Sequence, residues 1–135
     1  MHILESKPDL LQEIAQACDL CLKPWRHSIV NDSTIQKQPS NDDLIDLILR
    51  VECRDLEGKR LQENDLEIEI YNSGDDLSIT LSWIDFPDRP ILWQGKHSVW
   101  MDSKSGMLLK VPAQGAALEG LARRLRSIFI NDALD

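Results

Sequence analysis

Residues 66–83 read LEIEIYNSGDDLSITLSW. Leu66, Ile68 and Ile70 alternate with Glu67, Glu69 and Tyr71. After Asn72-Ser73-Gly74-Asp75-Asp76 the pattern resumes, with Leu77, Ile79, Leu81 and Trp83 set against Ser78, Thr80 and Ser82. A two-residue period puts successive side chains on opposite faces of an extended chain, so each run is a strand with one buried and one wet face. Asn, Ser, Gly and Asp between the runs supply hairpin chemistry, and strands joined by so short a link must run antiparallel.

The same pattern extends in both directions. Upstream, residues 44–54 alternate Ile45, Leu47, Leu49, Val51 and Cys53 with Arg50, Glu52 and Arg54. Leu56-Glu57-Gly58-Lys59 then makes a turn in which glycine can take positive φ without steric cost. Downstream, two prolines within Asp85–Pro90 break the third strand. Residues 91–101 are expected as one further strand kinked at Gly95, and Asp102–Gly106 as a turn. Residues 107–111 are expected as a last strand, with Met107, Leu109 and Val111 on the apolar face. Residues 26–42, RHSIVNDSTIQKQPSND, hold no periodicity and read as a surface loop, with room for a short strand around Ser28–Val30.

Helical spacing flanks the strands. In residues 9–22 Leu10, Leu11, Ile14, Cys18 and Cys21 share a stripe, and Pro24 ends the helix because a residue before proline avoids helical geometry. In residues 116–130 the stripe is Leu118, Leu121, Ala122, Leu125, Ile128 and Phe129, while Arg123, Arg124 and Arg126 sit off it on a solvated face. Two amphipathic helices and a one-sided sheet bury the most apolar surface when both helices lie on the apolar face. The expected fold is therefore α+β: a two-layer sandwich of an antiparallel meander with four to five strands, carrying the N-terminal and C-terminal helices on one face. Residues 1–135 are expected to form a single domain with the sheet over 44–111.

Composition narrows the function classes. Hydrophobic content of 42% is enough for a core. The 23 acidic against 15 basic residues give a net charge of -8, which repels nucleic-acid backbones and anionic lipid surfaces. No apolar run approaches the roughly 20 residues of a membrane helix, and the start lacks the pattern of a secretion signal. Three cysteines do not make a disulfide scaffold. These features together point to the cytoplasm.

The chemical motifs are few. Cys18 and Cys21 form a C-x-x-C pair, but both lie on the apolar stripe near a helix C-terminus, where the dipole disfavours a thiolate, so they read as core residues. With no second such pair and no H-x₃-H, neither metal nor cofactor is expected. Asp75, Asp76, Asp85 and Asp88 lack the spacing of a calcium loop. Neither nucleotide-binding glycine fingerprint is present. Trp93, His97 and Trp100 crowd one segment of a chain with four tryptophans but one tyrosine and two phenylalanines. Tryptophan concentrates at binding hot spots and stacking platforms. No serine or cysteine with a paired carboxylate lies near His97 in sequence, so nucleophilic catalysis has no visible support and a non-catalytic role is favoured over an enzyme.

The expected role is that of a small acidic, non-catalytic interaction protein: an adaptor, chaperone or assembly factor. It would use the outer sheet face; Arg50, Arg54, Tyr71, Trp93, His97 and Trp100 are the candidate binding residues, with Trp93 and His97 sharing a face by alternation and Trp100 taking the other. The partner is expected to be a protein, or a second copy in a homodimer. Size, acidity and helix–strands–helix order are broadly similar to small secretion-type chaperones, a likeness at the level of the fold with no shared motif. The alternative is a small-molecule binding domain or enzyme with a pocket at Trp93, His97 and Trp100.

Overall fold

The alternating runs pair into one antiparallel sheet in the computed structural model, which describes residues 7–31, 46–74, 76–113 and 115–134. Helix α1 (Lys7–Cys21) is followed by β1 (Arg26–Asn31), β2 (Asp46–Arg54), a 3-10 turn (Gln62–Asn64), β3 (Leu66–Ser73) and β4 (Asp76–Trp83). Then come β5 (Ile91–Gln94), β6 (Ser98–Met101), β7 (Leu108–Leu109) and helix α2 (Gly115–Leu134). The sheet order is β1-β2-β3-β4-β5-β6-β7, a meander with every neighbouring pair antiparallel.

The α+β class, the meander order and the flanking helices agree with the sequence, but the strand count rises to seven. Two differences account for it. The segment 91–101 is a hairpin, β5 and β6 folding back about Gly95-Lys96-His97. The apolar positions on the two sides of this turn imitate a single strand, which hides the reversal. In the segment read as a loop over 26–42, residues 26–31 form β1. Ile29 is the one large apolar side chain that β1 turns toward the core, too little to register as alternation. The remaining 32–42, with Leu44 and Ile45, lies outside the described residues. The second helix also continues past the expected end at 130, to Leu134.

Register sets the core. Leu49, Ile68, Leu81, Leu92 and Trp100 stand opposite one another across five strands, and all are buried. Leu47, Ile70 and Ile79 form a second buried row. Against these pack Leu10, Ile14, Ala17 and Cys18 of α1, and Leu118, Leu121, Ala122, Leu125 and Phe129 of α2. Helix α1 covers the β1 end, α2 covers β4 and β5, and the helices touch each other. At roughly 1.5–3 kcal/mol for each fully buried large apolar side chain, this single layer is the main driving force of the fold.

The cover stops short of β7. Met107 is 68% exposed, Leu109 44% and Val111 57%, against the expectation that they face the core. The pattern of the segment is that of a buried strand, but the two helices are occupied over β1 to β5.

Polar contacts fasten the layers. The Arg126 guanidinium donates through Nη1 to the Leu77 carbonyl and through Nη2 to Asp76 Oδ1 at 3.0 Å. One of the three arginines assigned to a solvated face is thus a mostly buried tie between α2 and β4, whereas Arg123 and Arg124 are exposed. At the other end, Asp19 of α1 accepts the His27 backbone N–H at 2.7 Å, and the same carboxylate oxygen lies 3.5 Å from the buried His27 Nδ1.

Arg126→Ala removes both bonds of the tie and should cost about 1–3 kcal/mol, read from urea unfolding midpoints. His27 supplies a second expectation. Burial pushes its pKa below the ordinary 6.5, although Asp19 pulls the other way. The unfolded chain then takes a proton near 6.5 that the folded chain still refuses, so stability falls as pH drops through and below that value. His27→Gln should flatten this part of a stability–pH curve; an unchanged slope would assign it to other groups.

Candidate functional site

The face turned away from the helices carries four of the six expected binding residues in two groups, Arg50 with Arg54 and Tyr71 with Trp93, with carboxylates between them. By register, Arg26 of β1 stands opposite Arg54 of β2, and Arg54 opposite Arg60 of the following connection. Like charges directly opposite across strands repel. Part of that repulsion is offset. Glu52 Oε1 lies 3.7 Å from Arg54 Nη2 and 3.6 Å from Arg60 Nη1. Arg54 Nη1 also donates to the Gly58 carbonyl at 3.2 Å. That carbonyl belongs to the tight turn where Gly58 adopts φ +89°.

Asp65 anchors this corner. It is 1% exposed, yet it is satisfied on several sides. Its Oδ1 accepts the Cys53 backbone N–H at 2.9 Å, Oδ2 accepts Arg60 Nη2, and Arg50 Nη2 stands 3.8 Å away. A buried carboxylate without such partners would cost several kcal/mol. The Nε atoms of Arg50 and Arg60 are buried without partners among the described residues. Arg26 is exposed and in no ion pair among the described residues.

In the middle of the face Glu69 is half-buried, and its pKa is raised by burial first and then by Asp46 and Glu67. Toward β7 the face turns apolar. Trp93 stands opposite Val99, Ile91 opposite Met101, and Met101 opposite Leu108, which is 71% exposed. Trp93 Nε1–H donates to the Tyr71 hydroxyl at 3.2 Å. The six-membered part of its indole lies against Gly95, where an added Cβ would sit 2.3 Å from ring atom Cη2. Ser78, directly across from Tyr71, is 1% exposed, and its hydroxyl has no partner among the described residues. The outer face is therefore less open than alternation suggests.

The six expected site residues divide as follows. Tyr71 and Trp93 meet, and Arg50 and Arg54 share the ionic corner. Trp93, His97 and Trp100 do not converge. His97 is exposed in the β5–β6 turn, and Trp100 points into the core, where its Nε1–H donates to Glu119 Oε2 at 2.6 Å. Its partner on α2 is 19 residues away in the chain, so no local pattern reveals it. Sequence reasoning passed over Arg26, Arg60, Val99, Met101 and Leu108. Arg26 was hidden in an apparent loop, and Val99 and Met101 lay beyond an unrecognised turn.

Cys18 and Cys21 are free thiols on α1, with Cys18 completely buried, and burial is the main cause raising both pKa values. Among the described residues no group of three or more His, Cys, Asp or Glu is placed to hold a metal ion, and no helix is long and apolar enough to cross a membrane.

Comparison with known proteins places the chain in one family. Residues 11–128 match the family described as Domain of unknown function (DUF8659), and the chain belongs to it. No curated protein and no solved structure matches the chain.

Gly95→Ala should push the Trp93 indole off the sheet and break its bond to Tyr71. We expect a loss of about 1–3 kcal/mol and a red shift in tryptophan emission. Gly120→Ala is the control. Gly120 lies in α2 with open space at its Cβ position, so this change should stabilise by about 0.5–1 kcal/mol.

Proposed function

We propose that this member of the family is a non-catalytic binding protein, an adaptor, chaperone or assembly factor, whose outer face and β7 edge receive a protein partner. One observation carries the reading. Met107, Leu108, Leu109 and Val111 are all exposed at a sheet edge, and Leu108 continues into the Trp93, Val99 and Met101 patch. An exposed apolar edge is a template for pairing with another chain, which proteins otherwise shield. The edge offers backbone donors and acceptors to an added strand, and the neighbouring apolar side chains offer contacts for alternate residues of that strand.

The charge gradient supports an orientation. A segment lying across the face would meet apolar side chains near β7, carboxylates at Glu67 and Glu69, and arginines beyond β2. A partner segment apolar at one end and acidic at the other complements both extremes. A second copy of the chain is a permitted occupant of the β7 edge, since antiparallel edge pairing is compatible with two-fold symmetry.

The test compares affinity capture and sedimentation velocity for the wild type, Leu108→Asp, Trp93→Ala and a control, Leu20→Asp, on an exposed position of α1. A partner, or self-association, should appear with wild type and control and fall at least about tenfold in the two face variants. Identical profiles for all four proteins would refute the reading.

A further inference from the structure

A concavity opens on the helix side of the sheet, away from the outer face. It is a cleft of about 170 Å³ at the end of the sheet where α1 finishes and α2 begins. Its apolar wall includes Trp25, Trp83, Leu66 and Leu118. Trp25 is 40% exposed although it lies beside a large apolar core.

The polar part of the lining is unusual for this chain. Lys23, His27 and Arg89 face the cleft, and among the described residues no aspartate or glutamate lines it, in a protein of net charge -8. Arg89 is held in place by stacking. Its guanidinium carbon lies 5.0 Å from the Trp83 ring centroid and 4.3 Å from that of Phe86. Such stacking fixes the cation without neutralising it. Ala117 and Leu118, in the first turn of α2, also line the cleft, so the positive end of that helix dipole lies beside it.

Two carboxylates beside the His27 and Cys53 wall are already engaged. Asp65 is held by Arg60 and by the Cys53 amide, and Asp19 by the His27 amide. The His27 ring is 3% exposed, and its Nδ1 lacks a hydrogen-bond partner among the described residues. Asn64 and the Cys53 thiol supply further polar atoms at the wall.

We infer that this cleft binds a small organic anion, an aryl carboxylate of about one ring, with its flat body against Trp25 and Trp83 and its charge drawn by Lys23 and Arg89. Size supports one ring: an apolar protein cavity of about 150 Å³ accommodates benzene. The lining supports an anion, because the side chains of Lys23 and Arg89 and a helix N-terminus all face it. Aromatic walls with a few convergent polar groups are the usual makeup of a small-ligand site. The site is independent of the outer face, and its failure would leave the proposed protein-binding role untouched.

Phenylacetate is the probe, with phenylacetamide as its neutral and phenethylammonium as its cationic counterpart, titrated into isotope-labelled protein. Phenylacetate should bind with a Kd of about 1 mM or tighter, moving the Trp25 indole and the His27 and Ala117 amide signals. Both counterparts should bind at least about tenfold more weakly. Arg89→Gln, at an exposed position, should weaken phenylacetate by a similar factor while circular dichroism stays unchanged. Should that variant not fold, Lys23→Gln gives the same reading. Absence of shifts at these three residues, equal binding of the cation, or an unaltered Kd in a folded charge variant would each overturn the assignment. Shifts confined to Trp93 and Leu108 would do so as well, by placing the probe on the outer face.

Discussion

Burial of one side of the sheet under two helices is the constraint on which everything else depends. The row from Leu49 through Ile68, Leu81 and Leu92 to Trp100 crosses five strands, and its side chains gain stability only when something apolar lies over them. Two helices are all the described chain provides. Helix α1 serves the β1 end and α2 the β4–β5 region, each also packing on the other. The sheet is wider than that cover. The excess falls at β7, where apolar residues that would be core in a wider sandwich stand at the surface. The most prominent candidate for a docking surface thus follows from a mismatch between sheet width and helix number.

Electrostatics act on a different scale. The net charge of -8 describes the whole chain, yet the arginines of the outer face gather at one corner around Asp65, where Arg26, Arg54 and Arg60 stand side by side. Local charge rather than net charge determines what a surface attracts at distances shorter than the screening length of about 8 Å. A protein that repels nucleic acid overall can therefore hold small cationic places. The Arg60–Glu52–Asp65 arrangement also has a structural role, since it draws the connection between β2 and β3 back onto the sheet and shields a buried carboxylate.

The two surfaces ask for different partners. The outer face and β7 edge present a broad, graded surface with backbone edge groups, suited to an extended macromolecular segment. The cleft beside Trp83 and Arg89 is small and lined by aromatic rings, suited to a small molecule. They lie on opposite sides of the sheet.

Sequence alone determined what depends on periodicity. Alternation in 66–71 and 77–83, helical stripes near both ends and turn chemistry at Gly58, Gly74 and Gly106 were enough for the α+β class, the antiparallel meander and the choice of buried face, because burial of one face imposes a local, repeating pattern. Tertiary structure alone decided what depends on neighbours distant in the chain. The reversal at Gly95 divides one apparent strand in two, the Ile29 strand gains its place by pairing with β2, and Arg126 finds Leu77 across the core. Trp93 and Trp100, seven residues apart, fall on opposite faces as alternation alone places them, but only the fold decides that Trp100 lies in the core beside Leu92 and meets Glu119. A side chain's exposure is set by what covers it, and that cover comes from elements elsewhere in the chain, so neither the exposed β7 edge nor the cleft could be read from local pattern.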